Sequence, residues 1–438
     1  MQKIGRIISL GNKLMEETEN NSQPFKKEWL NRLIEFYRKN QGKSLIHVSD
    51  LPDAIFLKFN GKGNKILSDL DKFTRIRSIK NYLIGSTYFI RLSNLKKSSV
   101  SIKNINDLEP FIKEIKTTKS GYGKSIKNPR FPINLNNRFG AILLGNFPDA
   151  FLKTGEFGSK DKAILDELAD ITNKHIGSIS STLWYRTIYH LQLSPLIGVL
   201  YKLSGLNNDN RQIITNNAIP LWTFFASKNF KRTLLQKLWD AEGSAPSIKW
   251  KDMCFGQSVV INKNINKIPI YPIRKTFKKC ENKKIILDNP PNLLISLQLL
   301  LYEFGIMSFI RPHRLYKKKS GSIVCDWQLK IRRYTNIKKF YDEIDFGLKR
   351  KQQKLEKCLE GYKRLCPEPR EKREEELMDV IIKFDRFTIK DIANRSNLSI
   401  VTIRNYLVRL RKKGKIERVR IIPQIPSSFL NEYKIKRD

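Results

Sequence analysis

Cysteine and histidine are scarce in this chain of 438 residues, and each scarcity excludes a chemistry. The five cysteines, Cys254, Cys280, Cys325, Cys358 and Cys366, are odd in number and form no CxxC pair. That argues against both a disulfide framework and a zinc site, and it fits a reducing intracellular compartment. The four histidines, His47, His175, His190 and His313, are scattered too widely to read as a ligand set. No run of about 18 uncharged apolar residues occurs, so neither a signal peptide nor a transmembrane span is expected, and the expected location is cytoplasmic, with the nucleoid. Acid is in short supply too: 42 Asp plus Glu face 83 Lys plus Arg, for a net charge of +41. Self-repulsion on that scale calls for a polyanionic partner. The basic residues run the whole length and do not gather in one amphipathic helix, which favours nucleic acid over a membrane surface.

What is present is enough for real cores: 40% hydrophobic residues, with 24 Phe and six Trp. Length alone predicts two or three domains. Residues 1–128 read as a basic accessory module with one amphipathic helix, FKKEWLNRLIEFYRK, in which Trp29, Leu33 and Phe36 or Tyr37 recur at helical spacing, and with strands at AIFLKF (54–59) and TYFIRL (87–92). The run 116–132, basic and punctuated by Gly and Pro, reads as a linker.

From about 136 to 362 one plan is repeated. Each half opens with an apolar helix ending in small and acidic or amide residues, FGAILLGN (139–146) and LLQKLWDAEGS (234–244). Strand-like segments follow, then a second apolar helix, KAILDELADITNKHIG or NLLISLQLLLYEFGI, then an alternating segment and a short closing helix. Helix, hairpin, helix, hairpin, helix, twice over, predicts an α+β pseudo-dimer of two αββαββα repeats (129–228 and 229–366) with an antiparallel saddle of strands. The remainder, 367–438, reads as a winged helix-turn-helix and tail after the PEP break at 367–369. It has helices at EEELMDVIIKF, TIKDIANRS and IVTIRNYLVRLRKK, the last with Ser399 as N-cap, a stripe of Ile403, Leu407 and Leu410, and Gly414 as terminator, followed by a strand and wing at KIERVRIIP. Ile400, Val401, Thr402, Arg404 and Asn405 would then face outward, toward base edges in a major groove.

The string LLQKLWDAEGS resembles the second LAGLIDADG motif of homing endonucleases, and WQLKIRRYTNIKKFYDEIDFGLKRKQQKLEKCL resembles the end of their second repeat; together the likeness covers about half the chain. It implies two helices packed along a pseudo-twofold axis through Ala241, Gly243, Gly140, Ala141 and Gly145. Each would deliver one carboxylate to the middle of a DNA saddle, where the pair share Mg2+ ions that activate water. Glu242 matches the second acid. The first copy reads Gly145-Asn146-Phe147, with an amide where the acid belongs; Asp149 lies three residues on, behind Pro148. The catalytic and metal candidates are therefore Glu242, Asn146 and Asp149, and the missing acid predicts lost or single-strand cleavage with binding retained. On the strands Lys249, Lys251, Arg311, His313, Arg314, Lys330, Arg332 and Arg333 are the candidates for DNA contact, any one of them more often on phosphate than on a base. The expected activity is sequence-specific binding of double-stranded DNA with Mg-dependent endonuclease or nickase action. The alternatives are a catalytically inactive, transcription-regulating protein that joins the two folds, and an RNA-directed maturase. Two repeats suffice for a monomer on DNA, and a dimer stays open.

Overall fold

A computed structural model describes the chain apart from residues 1, 22–23, 75–88, 98–101, 118–123, 152–153, 180, 207–216, 247–250, 262–288, 318–322, 364–369, 397, 399, 425–427 and 437–438. Among the described residues the backbone is α+β, with many helices and five small sheets. Residues cluster into two compact units, Met1–Gly243 with Phe255–Lys330, and Ser244–Cys254 with Ile331–Asp438.

The first unit begins with helices Gln2–Thr18 and Lys27–Lys39. The 3.6-residue period of the second helix buries Trp29, Leu33 and Tyr37 on one face. Polar atoms of that helix reach far along the chain: the Tyr37 hydroxyl donates to the Ile219 carbonyl at 2.7 Å, and Arg32 Nε donates to Asn292 Oδ1 at 3.1 Å. Strands Leu45–Ile46 (β1), Phe56–Phe59 (β2), Ile90–Arg91 (β3), Ile112–Lys116 (β4), Ile126–Lys127 (β5) and Ile133–Asn134 (β6) follow. An antiparallel sheet in the order β3-β2-β4-β5-β9, closed by Ser178–Ile179 (β9), aligns one residue from each strand: Ile90, Leu57, Ile115, Ile126 and Ile179. All five are buried, so register is set by a single apolar row, with each side chain contributing about 1.5–3 kcal/mol. The run 116–132 therefore supplies a strand instead of the expected linker, and the boundary expected at 128/129 falls inside this sheet.

Helix Arg138–Gly145 is capped by Asn137, whose side chain accepts from Gly140 N at 3.1 Å; it is buried from Phe139 to Gly145. After it come Ala150–Phe151 (β7), Glu156–Ser159 (β8), helix Lys162–Ile176, Thr182–Tyr185 (β10), Tyr189–Gln192 (β11) and helix Leu196–Leu203. The plan recurs from helix Lys228–Ala241, capped by Ser227, through Gly243–Ser244 (β12), Asp252–Ile261 (β13), helix Asn292–Tyr302, Ser308–Lys317 (β14) and Ile323–Arg332 (β15) to helix Tyr334–Glu343. Numbering strands within each half, the sheets read β7-β8-β11-β10 and β12-β13-β15-β14: first, second, fourth, third in both.

In the second unit, helix Lys349–Lys363 is followed by helix Arg370–Ile381, Phe387–Thr388 (β16), helix Ile389–Arg395, helix Ile400–Lys412, and the hairpin Ile416–Gln424 (β17) and Ser428–Ile435 (β18), in sheet order β16-β18-β17. A capping box starts helix 389–395: Thr388 N donates to Asp391 Oδ2 at 2.8 Å, and Asp391 N returns to Thr388 Oγ1. Gly414, at φ 75°, lets the chain leave helix 400–412 in a left-handed turn. Leu377, Ile381, Phe387, Ile392, Ile403, Leu407, Leu410 and Tyr433 share one core, so this segment buries its own apolar face.

Candidate nucleic-acid interface

Helix 400–412 divides cleanly. Ile403, Tyr406, Leu407 and Leu410 are buried, and the opposite side, with Val401, Arg404, Asn405, Val408, Arg409, Arg411 and Lys412, is exposed. Thr402 is half-buried at the edge, and Ser399 lies outside the described residues. Val408 escaped the sequence reading although the same period implies it: a helix whose core positions are 403, 407 and 410 must turn 401, 404, 405 and 408 outward together.

On the second-half sheet, Trp327, Leu329 and Ile331 of β15 point into the core. One ionic cluster gathers around His313. Burial, and then Arg311, Lys330 and Arg314, push its imidazole below the usual histidine range, while Asp326 opposes them. Arg314 pairs with Asp326, which also accepts from Ser258 Oγ at 2.6 Å. His313 and Arg314 are exposed and Arg311 half-buried, but Lys330 is only 7% exposed, so the outward charge expected of it is drawn inward. Within the second unit, exposed Arg332 lies 3.4 Å from Asp252, and exposed Arg333 takes φ 72° at the start of helix 334–343. Lys251 turns inward. Its Nζ is buried 4.4 Å over the Tyr362 ring with no hydrogen-bond partner among the described residues, and burial lowers its pKa. Lys249 lies outside the described residues.

Among the described residues, the first-half sheet pairs an aromatic ring with a histidine and a carboxylate. Trp184 stacks on His190 at 5.3 Å and 8°, and His190 Nδ1 sits 2.8 Å from Glu156 Oε1.

The expected acid pair fares differently. Glu242 is exposed at the C-cap of helix 228–241. Asn146 is buried, and its Nδ2 donates to the Ile142 carbonyl at 2.9 Å, so the amide closes its own helix. Asp149 sits in the turn Phe147–Asp149, where its charge, after burial, raises the Tyr201 hydroxyl well above the ordinary range. Among the described residues no group of three or more His, Cys, Asp or Glu side chains could hold a metal ion. No hydrolytic step is assigned to Glu242, Asn146 and Asp149. No helix of the described residues is long and apolar enough to cross a membrane.

No protein-family model matches the chain, and no curated protein matches it in sequence. Among solved structures it is similar to full-length DUF199/WhiA from Thermatoga maritima, at 10% identity over 64% of this chain and 94% of that chain, with a TM-score of 0.28. A likeness that loose transfers neither fold nor function. The LAGLIDADG assignment is thereby corrected: no family model and no curated relative supports it. A Cβ on Gly145 would lie 2.4 Å from Lys237 Cβ on helix 228–241, so glycine there answers a close helix crossing. Gly140 and Gly243 face elsewhere, toward the Leu135 carbonyl and the Trp239 ring of the same helix.

Proposed function

We propose that this chain is a sequence-specific binder of double-stranded DNA that acts as a regulator without cutting its target. The observation that carries the reading is the C-terminal segment of the second unit. Its three helices and sheet order β16-β18-β17 support the reading of a winged helix-turn-helix, and its third helix turns Arg404 and Asn405 outward over a self-contained core. In such a module the third helix enters the major groove, where arginine reads guanine and asparagine reads adenine. The net charge of +41 supplies the sequence-independent attraction to phosphate. The cluster of Arg311, His313 and Arg314 supports a second basic contact on the second-half sheet, and the repeated strand order supports a pseudo-twofold pair of sheets that one monomer brings to the duplex.

The test is selection from a randomised duplex library with the full chain, followed by gel shift across a salt series. Six to ten phosphate contacts would lose about 10³–10⁵ in affinity between roughly 50 and 200 mM salt. Arg404→Ala and Asn405→Ala should each cost about 1–3 kcal/mol and relax preference at one position. Supercoiled plasmid bearing the selected site should stay intact in Mg2+, and Glu242→Gln should bind like the parent. Failure to bind any duplex in a salt-dependent way overturns the reading; nicked product that Glu242→Gln abolishes overturns the non-cutting part of it.

A further inference from the structure

Helix 400–412 exposes two apolar side chains where a solvated helix would carry polar ones. Val401 is 52% and Val408 43% exposed, and both lie on the stripe that holds Arg404 and Asn405. Single exposed valines are ordinary. Here the two are seven residues apart, about 10.5 Å along the axis at ~1.5 Å per residue. With base pairs stacked at ~3.4 Å, that separation spans about three steps. Among the described residues of the helix, those exposed beside them are cations and one amide: Arg404, Asn405, Arg409, Arg411 and Lys412. Two valines are too little apolar surface to anchor a protein partner, whose contacts centre on large aromatic or arginine side chains in packed pockets. The partner that matches cations interleaved with small apolar groups is a major groove edge, where the thymine 5-methyl is the apolar feature. A β-branched side chain suits that contact because valine in a helix holds one χ1 rotamer, so its methyls are fixed before binding.

We infer, building on the DNA-binding reading above, that Val401 and Val408 read thymine methyl groups about three base pairs apart, with Arg404 and Asn405 contacting the base edges between them. The target class is a duplex in which two thymines bracket a step bearing guanine or adenine.

The experiment uses the full chain and the best duplex from the selection, with each thymine replaced in turn by deoxyuridine, which deletes the methyl and keeps the pairing. In the parent protein two replacements should each weaken binding about fourfold, the effect of one buried methyl. In Val401→Ala one of those two losses should vanish, and in Val408→Ala the other, as coupling in a double-mutant cycle requires. Alanine is the better helix former and both sites are exposed, so folding should be kept, as unfolding curves will verify. Deoxyuridine without effect at every position, or effects that persist unchanged in both variants, overturns the inference and leaves DNA binding standing. Absence of salt-dependent duplex binding removes both.

Discussion

Gly145→Ala isolates the close helix crossing, because two effects of opposite sign meet at one atom. In an unobstructed helix the change would stabilise by up to ~1 kcal/mol, since alanine loses less backbone entropy than glycine. Here the new Cβ would stand 2.4 Å from Lys237 Cβ, 3.3 Å from the Leu234 carbonyl oxygen and 3.4 Å from Leu238 N. A Cβ is anchored to its backbone and cannot swing aside as a side-chain tip does. Overpacking of this kind costs about 1–3 kcal/mol, which outweighs the propensity gain. The net expectation is a destabilisation of about 1–2 kcal/mol, seen as a melting midpoint lowered by roughly 2–4 °C. Lys237 also pairs with Glu167 at 2.6 Å, so truncating it has a cost of its own. The control exploits this: Lys237→Ala removes the ion pair and keeps the Cβ, whereas Lys237→Gly removes both. The penalty of Gly145→Ala should persist in the Lys237→Ala background and shrink in the Lys237→Gly background. Gly145→Ala that leaves the midpoint unchanged or raises it, or a penalty equal in both backgrounds, would refute the close crossing.

Asn146→Asp replaces a buried donor with an acceptor facing the Ile142 carbonyl, and should cost about 1–3 kcal/mol in urea unfolding; an unchanged midpoint would contradict the self-capping role. Lys251→Met should leave stability unchanged or raised by up to ~1 kcal/mol, because it removes a buried ammonium without a hydrogen-bond partner, and it should leave duplex affinity alone; a loss of affinity at kept stability would restore Lys251 to the interface. His313 has its folded pKa depressed below its unfolded value near ~6.5, so its contribution to stability is present above that pH and lost as pH falls. A phosphate beside it would raise that pKa, so duplex binding should tighten as pH drops from about 7.5 to 5.5, and His313→Gln should flatten the profile; identical profiles by gel shift would exclude His313 from the contact.

The amphipathic helices were legible because period and burial are the same information. Trp29, Leu33 and Tyr37, and again Ile403, Leu407 and Leu410, are apolar at helical spacing and buried in the structure. Strand β5 was illegible for the converse reason. Two residues among Lys, Gly and Pro carry no period, and Ile126 finds its place only through Ile115 and Ile179, one of them more than fifty residues on. Lys330 and Lys251 were misjudged because charge predicts exposure only on average. A lysine stem long enough to reach a ring or a strand edge can be drawn inside, and nothing in its sequence neighbours says so. The glycine of DAEG answers a local demand, the Trp239 ring four residues earlier, whereas Gly145 answers the crossing with helix 228–241.

The long reach of helix 27–39 has a consequence for how the polypeptide is made. Its Arg32 waits for Asn292, 260 residues downstream, and its Tyr37 for Ile219. At roughly 5–20 residues per second on the ribosome, that is a delay on the order of ten to fifty seconds in which Trp29, Leu33 and Tyr37 have emerged without their surroundings. Vectorial synthesis therefore cannot complete this end of the molecule first. A nascent chain halted near residue 250 should expose helix 27–39 to chaperones and proteases, whereas one released beyond residue 302 should hide it.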